Sequence, residues 1–95
     1  MEKKQLFLTV KAREQTLYSG EVASVTSYNE KGKFDVLGEH ANFISIIEKY
    51  LIVKQVDGRS VELKLDSGII RVLENKIDVF LGVKQTPEKE RPLRQ

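Results

Sequence analysis

The chain has 95 residues, no cysteine, one histidine and a formal net charge of +2. A chain of that length makes one domain of modest stability, because short chains bury a smaller share of their surface. The absence of cysteine rules out disulfides and thiolate chemistry and fits a reducing compartment. Residues 1–83 balance 12 Lys and Arg against 12 Asp and Glu, and residues 84–95 supply the +2. A neutral body of finely mixed sign argues against a nucleic-acid surface.

Met1 to Gln5 leads into only a short apolar stretch, which is neither a secretory signal nor a transit peptide. No apolar run approaches the roughly 18 residues that span a bilayer, so the expectation is a soluble protein or one held at a membrane only through partners. Leu6, Leu8, Val10 and Ala12 share one face and Phe7, Thr9 and Lys11 the other, the period of a half-buried strand. Tyr18 to Tyr28 reads as a longer extended stretch, bent or bulged near Gly20. Lys31-Gly32 marks a reversal. Phe43 to Ile47 is almost continuously apolar. Ile44, Ile46 and Ile47 are β-branched, which favours a strand over a short helix.

Asp57-Gly58 lies between Leu51–Val56 and Ser60–Leu65 and predicts a hairpin with a type I′ turn. Val61, Leu63 and Leu65 alternate with Glu62 and Lys64. Ser67-Gly68 and Glu74-Asn75 predict further reversals. Ile77, Val79 and Leu81 alternate with Lys76, Asp78 and Phe80. After Val83 the pattern stops. Residues 84–95 hold two prolines and one large apolar residue, which predicts a flexible charged tail. The whole predicts an all-β domain over 1–83, a small antiparallel β-sandwich of about eight to ten short strands.

No constellation for catalysis is visible. One histidine cannot form a zinc pair. The serines lack a triad context, and there is no phosphate-cradling glycine loop. Asp35 and Glu39 are the best acid–base pair on offer, and each has an adequate surface role. His40 reads first as a loop histidine with a local hydrogen bond, and second as a protein–protein contact. Phe7 and Phe80 fall on the faces opposite the core stripes of their strands. They are either ordinary exposed aromatics or parts of an interface.

Three segments together carry a resemblance. They are Leu6-Phe7-Leu8-Thr9-Val10 with Tyr18-Ser19-Gly20-Glu21-Val22, then Gly32 to Ala41, then Asp66 to Val79. In that order and spacing they resemble the N-terminal β-sandwich domain of the epsilon subunit of F-type ATP synthase. Departures stand in the central segment. The family usually has glycine where this chain has Asp35, proline-glycine at Gly38-Glu39 and proline at Asn42. It usually has a further glycine at Ile69. The sequence also ends before the helical hairpin that many members carry, so neither self-inhibition nor ATP binding is expected of these residues.

The resemblance implies a non-catalytic central-stalk subunit at the cytoplasmic face of the bacterial plasma membrane. It would bind the gamma subunit and the c-ring, coupling proton-driven rotation to ATP synthesis. No cofactor, metal, small-molecule substrate, nucleic acid or direct membrane insertion is implied. Carried over residue by residue, it puts His40, Phe43 and Ser45 on the gamma side, and Glu30, Lys31, Gly32 and Lys33 on the c-ring side. Shared fold does not fix function. The principal rival is therefore a free-standing β-sandwich adaptor or ligand-binding module, with Phe7 and Phe80 as its platform. Behind it come an oligonucleotide-binding fold, which lacks basic residues interleaved with aromatics, and an enzyme.

Overall fold

Alternating apolar segments become six strands in the computed structural model, which describes residues 5–82. They are β1 (Leu6–Ala12), β2 (Gln15–Asn29), β3 (Gly32–Val36), β4 (Phe43–Gln55), β5 (Ser60–Leu73) and β6 (Lys76–Leu81). The order is β1-β6-β5-β4-β2-β3, and β1 pairs β2 as well, so five of the strands close on one another. All pairings are antiparallel except β1 with β6, which run parallel. The predicted tail 84–95, with Val83 and the first four residues, lies outside the described residues.

The all-β class matches the expectation. The strand number does not: six strands replace eight to ten short ones, because β2, β4 and β5 run to 15, 13 and 14 residues. The cause is that irregularities bend strands here and do not end them. On β2, Ala23 is an extra residue between the pairs Val22–Gln55 and Ser24–Lys54. On β5, Asp66 and Ser67 together face Glu48 of β4. Such bulges sharpen bend and twist while pairing continues. Along each long strand the set of neighbours therefore changes, although β4 and β5 stay paired with each other throughout. Gln15–Val22 of β2 pairs β1, and from Val22 onward β2 pairs β4 and then β3.

Ser67-Gly68 is thus not a reversal but the middle of β5. The bend expected near Gly20 is realised as bulges at Leu17 and Ala23, on either side of it. The turn at Asp57-Gly58 also differs from type I′, because only Gly58 has positive φ (96°). Gln55 O accepts from Gly58 N–H at 2.9 Å, and Gln55 N–H donates to Arg59 O at 2.7 Å. That is a three-residue hairpin loop with glycine in its bulge position. Asp57 accepts from the Arg59 backbone at 2.9 Å and pairs with its guanidinium at 2.8 Å. These two contacts hold its carboxyl below the usual carboxylate range. The turn gains from them at neutral pH and loses them as acid protonates the group.

The inward faces meet in one core of Leu6, Leu8, Val10, Val22, Val25, Val36, Ile47, Leu51, Val53, Ile70, Val72, Ile77 and Val79. All six strands contribute to it. Ser27 is the buried polar member, and its hydroxyl donates to Tyr50 O at 2.7 Å. That bond removes the cost of an orphaned hydroxyl. Midway along β4, Lys49 takes φ of 77°. Its ammonium sits 4.0 Å from the centre of the Tyr28 ring, which in turn meets Tyr50 edge-on.

Candidate functional site

The β2–β3 turn is built by Asn29. Its Oδ1 accepts from Lys31 N–H at 2.9 Å, and its Nδ2 donates to Ser45 Oγ at 3.1 Å. One amide thus joins the Glu30–Lys33 turn to the first half of β4. Beside it, residues 43–47 of β4 pair with β5 on one side only, because β2 joins β4 from Leu51 onward. The space along that free edge is an open cleft of approximately 540 Å³. Asn29, Glu30, Lys31, Phe43, Ile44, Ser45, Ile46 and Glu48 line it.

Residues expected on two separate sides therefore come together. Glu30 and Lys31 share the cleft with Phe43 and Ser45. Gly32 and Lys33 continue from the turn into β3, opposite Asn29 and Tyr28. Phe43 is half-buried, with Phe34 edge-on at 5.8 Å and the His40 ring at 5.0 Å. His40 Nδ1–H donates to Ala41 O at 2.8 Å, the local bond expected of a loop histidine. Asp35 and Glu39 do not form an acid–base pair. Asp35 accepts from Thr26 Oγ1 at 2.5 Å, while Glu39 lies on the loop after β3.

That loop opens with a local turn. Leu37 O accepts from His40 N–H at 3.1 Å, closing a four-residue turn whose third residue, Glu39, has φ of 65°. A positive φ at that position alone defines a type II turn, which prefers glycine there. Glu39→Gly should therefore raise stability by about 0.5–1 kcal/mol. The urea midpoint measures this, and a lower midpoint would refute the strain.

Phe7 and Phe80 are both partly exposed on the outer face. They are not neighbours, since Phe7 lies beside Lys76 and Phe80 beside Lys11. The larger apolar surface was missed in the sequence. Ile44 and Ile46 are 68% and 69% exposed. Ile46, Ile69 and Phe80 lie directly opposite one another across β4, β5 and β6. The available signal was period two within the apolar run, which sends Phe43, Ser45 and Ile47 inward and the two isoleucines out. Among the described residues no group of three or more His, Asp or Glu could hold a metal. No helix there is long and apolar enough to cross a membrane.

These features define a small β-sandwich with an open cleft along the edge of one strand. The chain belongs to the family described as ATP synthase, Delta/Epsilon chain, beta-sandwich domain, which it matches over residues 5–82. It is 33% identical over 78 residues to the ATP synthase epsilon chain of Sulfurimonas denitrificans, covering 81% of this chain and 60% of that one. It is 27% identical over 75 residues to that of Helicobacter pylori strain Shi470, covering 79% and 61%. The chain thus spans about three-fifths of the length of these relatives. Its fold also resembles a chain in the Euglena gracilis mitochondrial ATP synthase structure (OSCP/F1/c-ring), with TM-score 0.76 at 18% identity over 85% of this chain and 57% of that one. A second likeness is to the central stalk/c-ring structure of Tetrahymena thermophila ATP synthase, with TM-score 0.67 at 11% identity over 85% and 66%.

Proposed function

We propose that this domain is a non-catalytic piece of the ATP synthase central stalk, binding gamma and the c-ring at the cytoplasmic face of a bacterial plasma membrane. Its task is mechanical: it couples proton-driven ring rotation to the catalytic head. Family membership supports this reading, and the observation that carries it is the cleft at the β4 edge. There Asn29 ties the Glu30–Lys33 turn to Ser45, so that both proposed contact regions share one rigid frame. A packed, ladder-bonded sandwich deforms little and suits force transmission.

The test is co-purification with the gamma subunit encoded in the same genome, followed by gel filtration. A specific interface of roughly 1,000 Å² or more should survive that step. Ser45→Trp should abolish the complex while leaving the circular dichroism spectrum unchanged. Lys33→Glu, on β3 outside the cleft, should leave gamma binding intact and weaken retention on c-ring-containing membranes. Failure of the wild-type chain to bind gamma would favour the free-standing adaptor.

A further inference from the structure

We infer that Asn75, in the β5–β6 turn, is a positioning residue for the His40 loop and through it for the gamma contact. The inference rests on the gamma reading above.

The loop between β3 and β4 belongs to no strand, and the backbone conformation of Glu39 is one its side chain disfavours. Glu39 holds a positive φ that glutamate rarely adopts. Beside the Leu37–His40 turn bond, it is held from a distant part of the sequence: Glu39 N–H donates to Asn75 Oδ1 at 2.7 Å. Three residues on, the relation is reversed, and Asn42 Oδ1 accepts from Glu74 N–H at 2.9 Å. The loop and the β5–β6 turn therefore clasp each other at two points, with His40 and Ala41 between them. The turn is a firm anchor. Glu74 and Asn75 both have positive φ (51° and 66°), the geometry of a tight two-residue hairpin. Asn75 O also accepts from Phe7 N–H at 3.0 Å, which ties the turn to β1.

The clasp fixes the path by which the chain enters β4, and hence the contact between the His40 and Phe43 rings at 5.0 Å. A surface held in one conformation binds without first ordering itself, so loss of the clasp lowers affinity through ordering entropy. Asn75 touches no partner in this scheme. It sets the geometry of residues that do.

Two substitutions isolate the effect. Asn75→Gly keeps the positive φ of the turn and removes the acceptor. Asn75→Asp keeps both. In the free chain, hydrogen exchange at the Glu39 amide should accelerate in Asn75→Gly and stay near wild type in Asn75→Asp. Affinity for gamma, measured by calorimetry, should fall about three- to tenfold in Asn75→Gly, with rescue in Asn75→Asp. The melting temperatures of the two variants should remain close, which separates positioning from loss of fold. Unchanged Glu39 exchange, or unchanged gamma affinity, in Asn75→Gly overturns the inference. A wild-type chain that does not bind gamma overturns the reading beneath it, while the exchange data still report on the clasp.

Discussion

Leu51→Ala should destabilise the domain by about 2–5 kcal/mol, as buried leucine truncations do. Leu51 is fully buried and lies opposite Ser27 of β2 and Leu63 of β5. It stands where β4, already paired with β5, first meets β2, so the void would open at the junction of three strands. Small domains hold only about 5–15 kcal/mol in total, so the loss is a large fraction. Urea denaturation measures it, with Ile46→Ala as the control on the same strand. Ile46 is 69% exposed, and its truncation should cost under about 0.5 kcal/mol. Similar midpoints for the two variants would contradict the assignment of faces on β4.

Gly68→Ala should cost about 1–3 kcal/mol, although alanine is the smallest possible change. A Cβ at Gly68 would lie 2.9 Å from both Leu81 Cδ2 and Phe80 O. The leucine methyl can swing away. The carbonyl cannot, because it belongs to the backbone of β6, which pairs with β5 here. Glycine is required for space at this position, and its φ is ordinary. The expected result is a lower urea midpoint, with faster amide exchange across β5 and β6. A variant as stable as wild type would show that the two strands separate without cost.

Much of the sandwich was legible because period two survives in the sequence wherever a strand is regular. Leu6, Leu8 and Val10 in β1 and Ile77 and Val79 in β6 were assigned to the core from alternation alone, and all are buried. Legibility failed where the pleat is interrupted. The extra residue Ala23 puts Val22 and Val25 on the same side at a spacing of three. Asp66 and Ser67 carry β5 through a bulge that reads, residue by residue, as a turn. A bulge and a turn draw on similar residues, and only the register of the partner strand separates them.

The site shows the same division. His40, Phe43, Ser45 and the Glu30–Lys33 turn were named from family resemblance, and no local pattern would have brought Glu30, Lys31, Phe43 and Ser45 into one cleft. The connection runs through Asn29 and Asn75, whose bonds bridge 16 and 36 positions of sequence. A side-chain amide that closes such a bridge leaves no periodic trace. The two isoleucines of the outer face were hidden differently. Inside an apolar run, inward and outward residues have the same composition, so exposure is decided by the sheet and not by the residue.

The parallel seam between β1 and β6 has a consequence for biosynthesis. It aligns Phe7 with Lys76 and Ala12 with Leu81, so the first strand waits for the last. Long-range parallel pairing is slow to form because most of the intervening chain must be in place first. On the ribosome, β1 would emerge with one edge lacking its final partner and remain so until β6 had cleared the exit tunnel. Nascent chains stalled before β6 should be sensitive to protease throughout, and protection should appear in a single step once that strand is out.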